Sequence, residues 1–135
     1  MSENMGTERF AAAGDAYGRL FPGAVLPDPE RKEPGVPASA ADFRRYIAEV
    51  TLADSWQRPG LDDRSKSLVT MSLLIAQGGQ TDELGRHVNA ALNLGIARDE
   101  IIALLIHAAA YCGVPRANSA YAVAIEVFGA RSDES

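Results

Sequence analysis

Two histidines and a single cysteine are the residues of this chain best suited to chemistry. His87 follows Glu83 in the run Asp82-Glu83-Leu84-Gly85-Arg86-His87. That spacing puts both side chains on one face of a helix. A carboxylate beside an imidazole fixes its tautomer and raises its pKa, which would make His87 a usable general acid near neutral pH. The same spacing also describes a solvated surface ion pair, and on spacing alone that is the favoured reading, because such pairs are common on helix surfaces. His107 and Cys112 lie close together in HAAAYCGVPRAN and have the composition of a base and a nucleophile. On a helix, however, their separation amounts to about 500° of rotation, so they point roughly 140° apart and form no dyad. A redox cycle at Cys112 would need a resolving thiol, and the chain has no second cysteine. Cys112 therefore reads as a buried or pocket-lining thiol, and His107 as a packed core or interface residue. The histidines show no His-Glu-x-x-His pattern, and no metal is expected.

Positive side chains supply the other candidates. Trp56 and Arg58 stand in WQRPG, and Arg64 and Lys66 follow at the start of a helix. Arg116 opens another helix. A tryptophan at a helix end is commonly a core plug, and each arginine could be a solvated charge. An arginine at a pocket mouth can also fork onto a substrate carboxylate, helped by a helix N-terminus.

The elements that must position these groups read as helices throughout. Alanine is abundant and no stretch alternates with period two. The pattern predicts a helix capped by Thr7 and running to Leu20, then a proline-rich extended connector over Phe21 to Pro37. A second helix starts near Ser39, with Asp42 as a capping-box-like partner and Phe43, Ile47 and Val50 at helical spacing, and ends near Trp56. A third opens at Asp62 or Asp63 and stops at Gly78-Gly79. The fourth is capped by Thr81 and terminated by Gly95. The fifth runs from Arg98 to Gly113, and the sixth carries Pro115 in its first turn. The fifth, IIALLIHAAAYC, has almost no polar face. A chain of this size seldom wraps one helix completely, so other subunits are expected to cover part of it.

The length of 135 residues fits one domain, divided as an N-terminal helix and connector (1–38), a helical domain (39–130) and a tail (131–135). A net charge of −5 and scattered arginines and lysines argue against a nucleic-acid partner. No apolar run approaches the roughly 20 residues of a membrane span, and MSENMGTERF does not read as a signal peptide. A soluble cytoplasmic protein is expected.

Several runs together resemble the carboxymuconolactone decarboxylase family. They are W-x-R-P-G-L from Trp56, R-S-K-S-L-V-T from Arg64, E-L-x-x-H-V-x-A-A-L-N-x-G from Glu83, and R-D-E-I from Arg98. The segment A-Y-C-G-V-P-x-A-N, Ala110 to Asn118, is most similar to the 4-carboxymuconolactone decarboxylase branch. The resemblance covers Ser39 to Phe128. It departs at Leu94, where a second Asn is usual, at Lys66, where Arg is usual, and in the turn Gly78 to Thr81. It implies an all-α, six-helix domain of the alkylhydroperoxidase D-like type, assembled as trimers or hexamers. The peroxidase branch of that superfamily carries a Cys-x-x-Cys where this chain has Gln80 and Glu83. The dithiol relay is therefore not implied.

What the resemblance does imply is decarboxylation of a carboxylated butenolide such as 4-carboxymuconolactone, in the breakdown of aromatic compounds. No cofactor is called for, because the lactone is itself the electron sink. His87 would deliver a proton or support the oxyanion, with Glu83 orienting it. Arg58 or Arg64 would hold carboxylates, and Trp56, Tyr111 and Cys112 would line the substrate site. The other readings are a family member recruited to another small lactone or polyketide, a thiol-dependent antioxidant protein using Cys112, and a non-catalytic helical oligomer.

Overall fold

A computed structural model of the chain describes residues 2–132, with side chains from residue 8 onward. Among these residues there is no strand, and six α-helices follow in order. They are α1 (Ser2–Leu20), α2 (Ala40–Ala48), α3 (Asp63–Gln77), α4 (Thr81–Asn93), α5 (Arg98–Cys112) and α6 (Val114–Ala130). The all-helical, six-helix expectation holds. No helix among the described residues is long and apolar enough to cross a membrane. The chain divides into two compact units, Met1–Leu61 and Asp62–Ser135.

In the first unit, α1 buries Ala13, Ala16 and Leu20. It begins at Ser2, so Thr7 lies within the helix and does not cap it. Helix α2 continues into a π-helical segment, Glu49–Asp54, and a tight turn, Ser55–Gln57, that buries Trp56. The chain is thus helical to about Trp56 as expected, but its winding changes twice. Small residues, Ala41 and Ala48, are the buried ones of α2, while Phe43, Ile47 and Val50 are exposed. The expected capping box is not formed. Ser39 has helical dihedrals (φ −62°, ψ −15°), so its hydroxyl is not directed at the first-turn amides and makes no cap bond. The connector is held down by arginines of α2. Arg44 donates to the carbonyls of Pro29 (3.0 Å) and Arg31 (2.9 Å) and to Glu33 (3.0 Å), and Arg45 donates to Glu30 (2.8 Å). Arg19 ties the end of α1 to Gln57 and to the Trp56 carbonyl.

The second unit is a bundle of α3 to α6. Helix α3 starts where an extended Asp62 accepts a hydrogen bond from the Ser65 amide at 2.7 Å, and it ends at Gly78, whose φ of +73° suits glycine. Gln80, not Thr81, is the residue before α4, and it makes no side-chain cap, so Thr81 is the first helical residue. Leu84, Val88 and Ala91 of α4 meet Met71 and Ile75 of α3, Ile101 and Leu105 of α5, and Ala120 and Ala124 of α6 in one apolar core. Arg131 closes the far end by donating to Asn93 (2.9 Å) and Asn89 (3.3 Å), while its carbonyl accepts from Arg98 (3.1 Å).

Helix α5 is buried on one side only within the single chain. Ile101, Leu105 and Ala108 face the core, whereas Ile106 is 70% and Tyr111 82% exposed. Ala103, His107 and Ala110 share that open side. Truncating the inner side should therefore cost far more than truncating the outer. Ile101→Ala is expected to lower the unfolding free energy by about 2–5 kcal/mol in a denaturant titration. Ile106→Ala should cost much less under conditions where the chain is monomeric. Equal losses would show that the buried side has been assigned wrongly.

Candidate active site

The core-facing stripe of α4 decides where its polar groups go. With Leu84, Val88 and Ala91 turned inward, Glu83 and His87 fall together on the neighbouring flank of the helix. His87 is half-buried and Glu83 exposed. The pKa of His87 lies below its ordinary value of 6.5. Burial is the main cause, the Glu83 charge pulls the other way, and Arg86 adds to the lowering. Glu83 raises it as expected, but the net shift is the reverse of the expected one. Removal of the imidazolium from water outweighs an exposed carboxylate whose field is spread through solvent and shared with Arg86 at 3.0 Å. His87 is accordingly a neutral imidazole near pH 7.

The remaining sequence candidates are distributed between the units. Trp56 and Arg58 belong to the first, where Arg58 pairs with Asp54 at 2.8 Å. Arg64, Tyr111 and Cys112 belong to the second, with Glu83 and His87. Arg64 pairs with Glu100. Glu100 also accepts from the Ala97 amide at 2.8 Å, and that bond, followed by the one from Arg64, holds its carboxyl below the usual range. Tyr111 packs beside His107 on the exposed side of α5, with ring centroids 5.1 Å apart and the planes tilted by 48°. Cys112 is a half-buried free thiol at the last residue of that helix.

A feature not assembled from the sequence is a cleft of about 220 Å³ in the second unit. It lies where the Gly78-Gly79 turn and the start of α4 meet the start of α6. Leu74, Leu84 and Ala120 supply apolar wall, and Gln80, Arg116 and Ser119 supply polar groups. His87 is not in its lining. Arg116 is a sequence candidate as an anion-binding group. Its partnership with the glycine turn joins positions far apart in the chain, which periodicity does not reveal.

A family model described as the carboxymuconolactone decarboxylase family matches residues 41–126. The chain is 40% identical over 87 residues to a 4-carboxymuconolactone decarboxylase of Acinetobacter baylyi, covering 64% of each protein. It is 43% identical over 72 residues to a nitrosuccinic acid decarboxylase of Metarhizium robertsii, covering 53% of this chain and 50% of that protein. The matched part thus spans less than two thirds of either relative's own length.

The lowered pKa of His87 has a measurable consequence. The unfolded chain, with its imidazole near 6.5, takes up the proton before the folded chain does. Stability from this group is therefore intact above that pH and lost as pH falls below it. Unfolding titrations at about pH 7 and about pH 5.5 should show a decrease that is smaller in His87→Gln. An equal decrease in both proteins would contradict a buried, neutral His87.

Proposed function

The chain belongs to the carboxymuconolactone decarboxylase family, and on that premise we propose that it is a cofactor-independent decarboxylase of a small dicarboxylic acid whose departing carboxylate sits beside an electron sink. The single observation that carries this reading is the family match over the whole of α3, α4 and α5. It is supported by the names of two relatives, both decarboxylases. 4-Carboxymuconolactone is the substrate we favour, and the second relative widens the class to a nitro-substituted acid. In the lactone, a quaternary ring carbon bears the carboxylate and a carboxymethyl arm. Its C–C bond breaks to release carbon dioxide, and the electron pair runs through the ring double bond onto the lactone carbonyl. A proton from solvent then closes the sequence at a ring carbon, giving the enol-lactone. In a nitro acid the nitro group would take the same electron pair.

The protein's task in either case is to steady an oxygen as it becomes negative. A neutral imidazole can donate its N–H to that oxygen without first holding a charge, and a half-buried setting strengthens the bond. We assign this role to His87, with Glu83 orienting the ring. Arg58 or Arg64 would hold a substrate carboxylate; each faces a carboxylate of its own unit and would exchange that partner for the substrate. Self-association across the open side of α5 would turn Tyr111 and Cys112 into lining groups. The proposed setting is the breakdown of aromatic compounds in the cytoplasm.

Replacing His87 by Ala should lower turnover of 4-carboxymuconolactone by about a hundredfold or more while leaving the assembly intact. Turnover near that of the unaltered protein would remove His87 from the mechanism. Ile106→Asp should lower the mass seen by sedimentation. An unchanged mass would place any association elsewhere.

A further inference from the structure

We propose that the cleft between the Gly78-Gly79 turn and Arg116 seats the substrate carboxylate that is not lost, and that Arg116 thereby sets which acids the protein accepts. This rests on the decarboxylase reading above.

Arg116 differs from the other arginines of its unit. Arg64 faces Glu100, Arg86 faces Glu83, Arg98 donates to the Arg131 carbonyl, and Arg131 donates to Asn89 and Asn93. Among the described residues Arg116 has no hydrogen bond or ion pair. It also has no acid near it in the cleft, because neither Asp nor Glu lines that space. In a chain of net charge −5, this is a local excess of positive charge facing a concave surface.

The glycine turn makes room for it. A side-chain carbon at residue 78 would collide with the guanidinium of Arg116, and the φ of +73° there independently favours glycine. Gln80 gives the first turn of α4 no side-chain cap, and Gln80 and Thr81 line the same space. The volume of about 220 Å³ falls below the roughly 300–1,000 Å³ of pockets for drug-sized ligands. It suits one carboxylate arm. A planar guanidinium fork matches a carboxylate in geometry and charge.

Chemistry decides which carboxylate belongs there. A guanidinium on the departing group would stabilise a charge that disappears in the transition state, and so would hold the ground state back. On the spectator carboxylate the same contact is neutral to the bond-breaking step and contributes only binding. The cleft is also placed to act with His87. Leu84, in its wall, precedes His87 by three residues on α4, about 4.5 Å along the helix axis.

Two measurements test this and separate it from the decarboxylase reading. In the first, Arg116→Gln should reduce kcat/KM for 4-carboxymuconolactone by about ten- to a hundredfold, mainly through KM, with part of the loss recovered in Arg116→Lys. The same substrate esterified on its carboxymethyl arm should show a much smaller difference between Arg116→Gln and the unaltered protein. Turnover with an unchanged KM in Arg116→Gln, or an equal loss on the ester, would overturn the cleft assignment and leave the decarboxylase reading standing. In the second, succinate and its neutral dimethyl ester are titrated by calorimetry without any turnover. Binding of succinate alone, lost in Arg116→Gln, is expected. It would support the cleft even if no substrate were decarboxylated. Absence of succinate binding to the unaltered protein, or binding unaffected by Arg116→Gln, would overturn it.

Discussion

The docking of α4 into the core of the second unit is the constraint on which its chemistry depends. Leu84, Val88 and Ala91 are locked among Met71, Ile75, Ile101, Leu105, Ala120 and Ala124. Close packing of this kind leaves a helix little freedom to rotate about its axis. Because α4 is held in one rotation, Glu83 and His87 must share a flank, and the start of the helix must face the glycine turn and Arg116. Rotating α4 by one residue would send about 100° of error through all of these positions. The Arg131 contacts to Asn89 and Asn93 hold the other end, so the helix is fixed along its length.

The same packing governs the electrostatics. His87 sits partly out of water next to a carboxylate, and the two effects oppose each other. Burial wins because Glu83 is exposed and shares its charge with Arg86. A neutral imidazole suits a reaction in which negative charge appears on oxygen late, as a carbon–carbon bond breaks. Charged groups lie at the edges. Arg64 and Glu100 join α3 to α5, and Arg116 remains unengaged among the described residues at the rim of a cleft without acids. Arg64 with Glu100 and Arg86 with Glu83 are paired within the unit, whereas Arg116 faces a cleft lined by no acid.

Much of this was legible in the sequence where the determinants are local. Gly78, Gly95 and Gly113 end helices because they adopt positive φ, and Asp62 opens α3 by accepting an amide hydrogen bond. The resemblance in the runs around Trp56, His87 and Cys112 pointed to the family, and the match over residues 41–126 bears this out. Other features were not legible because they depend on tertiary context. Ser39 and Thr81 have the right chemistry for caps, but the backbone places one in a helical conformation and the other inside the helix. The shift of His87 had the wrong sign because spacing reveals a neighbour's charge and not the loss of water. The cleft joins Gly78 to Arg116, a pairing that only the fold makes. The all-apolar reading of α5 was sound as composition, yet one chain covers only its inner side, leaving Ile106 and Tyr111 open.

The central claim is decarboxylation that draws on the substrate's own electron sink. The most direct test is release of carbon dioxide from 4-carboxymuconolactone by purified protein that has been dialysed against a chelator and freed of small molecules. The account predicts one carbon dioxide for each enol-lactone formed, at a rate unaffected by the treatment. No carbon dioxide at high protein concentration, or release that returns only when a metal or organic cofactor is added, would contradict it.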